Sequence, residues 1–111
     1  METACVVMTA LNDVEASRAL AREMIEMRLA ACVQVLEGVQ SFYRWQGAVE
    51  SAAESVLWIK TTESRVAELR NWLLARHPYQ LPEFLVLPVV GGSAEYLRWL
   101  AANAQAEVNP E

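Results

Sequence analysis

His77-Pro78-Tyr79-Gln80-Leu81-Pro82-Glu83-Phe84-Leu85-Val86-Leu87-Pro88-Val89 holds three prolines, the only histidine of the chain and a run of strand-forming residues. Each proline removes a backbone donor and holds φ near about −65°. The residues before them, His77, Leu81 and Leu87, are pushed towards extended geometry. A helix is therefore expected to end near Arg76, and a short buried strand to begin near Glu83. The junction also carries a tyrosine and a glutamate, so it is the first place to look for function.

Working outward from it, Thr62 can cap the preceding helix, and Glu63 in its first turn suits the helix dipole. Val66, Leu69 and Leu73 form the inner stripe of that helix. Residues 30–45 read as a long strand: Val33, Val35, Val39, Phe42, Tyr43 and Trp45 supply β propensity, and Gly38 can sit at a bulge. Gln46-Gly47 reads as a tight hairpin turn. A third strand spans about 48–61. These two strands are about twice the usual length of about 5–6 residues. A hairpin of that reach exposes unpaired edges and calls for a partner.

At the other end, residues 4–10 read as a buried strand. Asn12 with Glu15 forms a capping-box pattern. The helix that follows sets Ala16, Leu20, Met24 and Met27 on one face and Glu15, Arg18, Arg22 and Glu26 on the other, and ends near Leu29. Beyond a fourth strand at about 83–90, Gly91-Gly92 breaks the chain. Ser93 then caps a short helix with Tyr96, Leu97, Trp99 and Leu100. The order β-α-β-β-α-β plus a terminal helix is the α+β, ferredoxin-like split βαβ pattern.

The 111 residues suit one domain, with a core over about 4–103 and a tail, 104–111, whose end from Ala106 is expected to fray. Four Trp, three Tyr and two Phe are more than one small core hides, which again points to oligomerisation. A net charge of −5 without any basic run argues against a nucleic-acid partner. No apolar run approaches the ~20 residues of a membrane span, and no secretory signal pattern is seen. Cys5 and Cys32 lie in apolar runs, so a reducing, cytoplasmic compartment is expected.

For chemistry, His77 is either a metal ligand or a helix C-cap group. Cys32, like Cys5, is either a soft-metal thiolate or a small buried hydrophobe. Lys60 shares a sheet face with Trp58 and needs an anionic partner or an exit to solvent; Glu83 is the candidate partner. Lys60 then either binds an anion in a cleft or makes a structural ion pair. Tyr43, Trp45 and Tyr79 either line a ligand pocket or pack an interface. No nucleophile–base pair with an orienting third group assembles, so no enzyme is expected.

Arg28-Leu29-Ala30-Ala31-Cys32-Val33, Ser41 to Gly47, Leu57 to Thr62, His77-Pro78-Tyr79 with Pro82-Glu83, and Tyr96 to Leu100 together resemble the CutA family of divalent-cation tolerance proteins. The resemblance implies a cytoplasmic homotrimer of ferredoxin-like, PII-like protomers with long β2–β3 hairpins, and no required cofactor. It also implies a response to divalent cations, with Cu(II) or another divalent cation as ligand. Copper-binding members carry a Cys before the Thr-Ala that ends strand one and His-His before Pro-Tyr; here those places hold Met8 and Arg76-His77. His77 is thus the foremost metal candidate, with Met8 and Cys32 behind it. The alternative is a PII-like sensor or adaptor that binds a small anion in an intersubunit cleft formed by Tyr43, Trp45, Lys60, Tyr79 and Glu83.

Overall fold

The computed structural model describes residues 2–106. Strand β1 (Ala4–Leu11) lies between β3 (Ala48–Thr62) and β4 (Leu85–Pro88), antiparallel to both. With β2 (Cys32–Trp45) on the far side of β3, the sheet order is β2-β3-β1-β4. Helix α1 (Val14–Glu26) joins β1 to β2, and α2 (Val66–Arg76), preceded by a 3₁₀ turn over Glu63–Arg65, joins β3 to β4. Helix α3 (Ala94–Asn103) follows β4. This is the expected βαββαβ order with its terminal helix.

Period-two alternation divides the sheet into two unlike faces. Cys5, Val7, Thr9 and Leu11 lie opposite Thr61, Ile59, Leu57 and Ser55, and all eight are buried. Val7, Leu11, Leu57 and Ile59 pack against Leu20 and Met24 of α1 and Leu69, Trp72 and Leu73 of α2 to form the main core. Val6, Met8, Trp58, Lys60, Leu85 and Leu87 lie on the other face. There α3 closes only the Ala4 end, where Leu100 and Ala104 meet Ala4 and Ala31. The rest of that face is open.

Turn chemistry shapes the hairpin. Gly38 takes φ +71° at the register shift between Leu36 and Val39, as a bulge requires. Gln46 and Gly47 both take positive φ, the type I′ geometry that matches strand twist. The outer hairpin is bare: Phe42 is 72% exposed and Val49 69%.

Several local expectations are corrected. The cap of α1 is Asp13, not Asn12: its carboxylate accepts the Ala16 amide at 3.0 Å. Helix α1 stops at Glu26, and Met27 is half exposed rather than on the inner face. Arg28 then turns to φ +59°, and Leu29 N–H returns to the Met24 carbonyl, a Schellman closure in which arginine holds the place usually given to glycine. Arg28 is held there by its own side chain, which donates to the Ala102 and Gln105 carbonyls. Thr62 caps no amide; its hydroxyl pairs with Ser64, because the 3₁₀ turn separates it from α2. Ser93 likewise makes no side-chain cap. Strand β4 is four residues long and exposed, not the buried strand expected over 83–90, because it is an edge strand beside the open face. Ala104, placed in the tail, is buried, and the frayed segment expected beyond Ala106 lies outside the described residues.

Candidate functional site

The segment after α2 turns back against the hairpin, and His77 anchors it. Its Nδ1 accepts the Tyr79 amide at 3.1 Å, so the ring proton sits on Nε2, which donates to the Ala10 carbonyl at 2.9 Å. Burial lowers the proton affinity of His77 below its ordinary value, opposed by the Ala10 carbonyl and the carboxylates of Glu54 and Glu83. The Tyr79 ring meets the imidazole edge-on at 4.8 Å, and its hydroxyl donates to Glu54 Oε2 at 2.7 Å. Burial first, then the Glu54 bond and charge, push the Tyr79 phenol well above its usual range, so it stays a donor.

Between this segment and the hairpin lies a cleft of about 710 Å³. Ser41, Tyr43, Trp45, Ala52 and Glu54 line it from the hairpin, and Tyr79, Gln80, Leu81 and Glu83 from the facing loop. Ala10 and Asn12 lie between, and Phe42 and Arg44 border it. The bulge makes this possible. Leu36 opposes Val56 before it and Val39 opposes Glu54 after it, so β2 advances three residues while β3 advances two. Without that extra residue the alternation would carry Phe42 and Arg44 to this face and turn Tyr43 and Trp45 away.

The cleft brings together Tyr43, Trp45, Tyr79 and Glu83. Lys60 is elsewhere: it lies opposite Cys32 and Val6, with Nζ 5.7 Å from the centroid of the Tyr96 ring. The expected Lys60–Glu83 pair is not made in the protomer. Lys60 stands six residues along β3 from Glu54, about 20 Å at the usual rise of a strand. Glu54, which orients Tyr79, escaped the sequence reading; its one signal is its even spacing from Val56, Trp58 and Lys60 on one strand.

The metal candidates do not converge. Met8 lies half-buried between Trp58 and Leu85 on the open face, and Cys32 lies half-buried beside Lys60. His77 has both ring nitrogens engaged by backbone. Among the described residues no group of three or more His, Cys, Asp or Glu side chains could hold a metal ion. Cys5 lies on the core face, where burial first and Glu63 second push its thiol up to about 11.

A βαββαβ sheet with helices on one face, an extended hairpin and a helix across one end of the other face defines the ferredoxin-like, PII-like class of α+β proteins. Residues 5–103 match the CutA1 divalent ion tolerance protein family, and the chain belongs to that family. It is 42% identical over 98 residues to the divalent-cation tolerance protein CutA of Thermus thermophilus, across 88% of this chain and 95% of that one. It is 45% identical over 98 residues to the protein of that name from Pectobacterium atrosepticum, across 88% of each. The crystal structure of CutA1 from Oryza sativa superposes with a TM-score of 0.90 at 38% identity, covering 94% of this chain and 95% of that one.

Proposed function

We propose that the chain acts, without catalysis of its own, as a homotrimer in tolerance of divalent cations, and that Cu(II) or another divalent cation is held where subunits meet. The observation that carries this reading is the uncovered side of the sheet. Leu36, Leu85 and Leu87 are exposed there beside half-buried Met8 and Trp58, and the hairpin adds exposed Tyr43 and Trp45 to the same face. Apolar surface of that extent is what a stable subunit contact buries. The protomer offers single metal ligands in separate places, so in this reading a cation draws donors from more than one copy. His77 joins only by giving up a backbone bond; Cys32 and the soft thioether of Met8 suit Cu(I) better than Cu(II). Two free cysteines fit a reducing compartment, and we place the protein in the cytoplasm. No helix among the described residues is long and apolar enough to cross a membrane.

Sedimentation equilibrium at low micromolar concentration tests the assembly: three copies are expected, and a monomer refutes it. Titration calorimetry of the reduced, metal-free protein with Cu(II) tests the ligand. Binding should be lost in His77→Ala and kept in Met8→Leu; copper binding unchanged by His77→Ala removes His77 from the site.

The cleft favours a second reading, a PII-like sensor whose small ligand sits between hairpin and loop. Its volume and its lining by Tyr43, Trp45, Tyr79 and Glu83 support this. A thermal-shift screen of metabolites should stabilise the protein, and no stabilisation across a broad set refutes it.

A further inference from the structure

Thr9 and Ser55 set two hydroxyls into an otherwise apolar layer of the core. Both side chains lie on the helix-covered face of the sheet, among Val7, Leu11, Leu57 and Ile59, and both are buried. Thr9 Oγ1 and Ser55 Oγ have no hydrogen-bond partner among the described residues. Thr9 stands opposite Leu57 and Ser55 opposite Leu11, so the two are diagonal neighbours across β1 and β3. Another buried polar atom without a partner, Trp72 Nε1, belongs to α2 and lies outside this ladder. Helices α1 and α2 cover this face from within the protomer, so subunit contact through the opposite, open face leaves it unchanged.

Ser55 also faces the bulge. Its neighbours Val56 and Glu54 pair with Leu36 and Val39, so Ser55 stands against Glu37 and Gly38, where β2 carries its extra residue. A bulge leaves one residue outside the ladder, which puts backbone polar groups beside Ser55. The Arg18–Glu37 ion pair ties α1 to the same point. A hydroxyl buried without a partner is costly, and these two do not bond each other. One water at about 2.8 Å from each oxygen spans up to about 5.5 Å, the reach that a diagonal pair needs. We propose that a single internal water molecule bridges Thr9 Oγ1 and Ser55 Oγ, with backbone of the Gly38 bulge as its third partner. The water then helps to fix the bulge, and through it the face to which the outer hairpin turns Tyr43 and Trp45.

A double-mutant cycle of Thr9→Val and Ser55→Ala tests it, by urea unfolding of the full chain at one protein concentration, beside a high-resolution crystal structure of the wild-type protein. With a bridging water, each single substitution should lower the folding equilibrium constant about fivefold. The double variant should lose clearly less than the product of the two, because both substitutions act on one shared molecule. Stabilisation by each single variant, additive in the pair, overturns the proposal, since the hydroxyls are then unpaired in the native state. Losses that multiply independently also overturn it, since each hydroxyl then bonds the backbone on its own. The crystal structure should show one water within about 3.2 Å of both oxygens. No such water in a well-ordered core overturns the site, even where a variant fails to fold.

Discussion

Replacing His77 by phenylalanine keeps a flat ring against Tyr79 but removes the hydrogen bond that pins the loop to β1 and the one from the Tyr79 amide that braces the loop itself. The Tyr79 bond contributes about 1 kcal/mol net, and leaving the carbonyl of buried Ala10 unpaired costs about 1–3 kcal/mol, so the loss is about 2–4 kcal/mol. With a urea slope of about 2 kcal/mol/M, the midpoint should fall by about 1–2 M. Unfolding is followed by tryptophan fluorescence and circular dichroism at one protein concentration, because assembly makes stability concentration-dependent. The loss should also depend on pH. The His77 pKa lies below its ordinary 6.5 in the folded chain, so the unfolded chain binds the proton more readily. The contribution of the neutral ring is complete above about pH 6.5 and declines as pH falls towards the lowered folded value. A protonated ring would also aim an N–H at the Tyr79 amide, donor against donor. The gap between wild type and His77→Phe should therefore narrow from about pH 8 to about pH 5. A change under about 0.5 kcal/mol, or a gap independent of pH, refutes this account of the loop anchor.

Three further outcomes follow from other parts of the fold. Arg28→Ala should cost about 1 kcal/mol through loss of the bonds to Ala102 and Gln105. Arg28→Gly should unfold at higher urea than Arg28→Ala by about 1 kcal/mol, because glycine relaxes the φ of +59°; the reverse order would show that strain is not what the position stores. Asp13→Ala should lower stability by about 1 kcal/mol while Asn12→Ala leaves it nearly unchanged, which equilibrium unfolding of the pair distinguishes. Under native conditions near about pH 8, Cys5 should resist iodoacetamide, being buried with a thiol pushed up to about 11, and should react once the chain unfolds. Peptide mapping that finds Cys5 modified in the native protein contradicts that burial.

Signals that act over a few residues were legible. Pro78 and Pro82 ended α2 near Arg76, Gly38 marked the bulge, and Gln46-Gly47 marked the hairpin turn. Each works through its own φ or a missing donor, so its meaning is carried in a short stretch of chain. The family resemblance rested on such stretches, and the family match over residues 5–103 agrees with it. Where two short-range signals stood side by side, the choice was lost: Asn12 and Asp13 are both good caps, and only the path of the chain gives Asp13 the Ala16 amide. Strand β4 looked buried because its residues are apolar, but apolar sequence reports a demand for burial, and the protomer leaves that demand unmet.

The candidate site depended on long-range facts. Lys60 and Glu83 looked like partners because one needs an anion and the other is acidic. Register set Lys60 beside Tyr96 and gave the Tyr79 hydroxyl to Glu54 instead. His77 stood out in the sequence as a candidate, but nothing local showed that Ala10, 67 positions earlier, holds one of its nitrogens. The sequence alone determined the order of elements, the long hairpin and the bulge, because these follow from backbone chemistry and periodicity within a dozen residues. Tertiary structure decided which aromatics and carboxylates face one another. Strand pairing brings distant residues into contact, and one extra residue at Gly38 reverses which side chains reach the cleft.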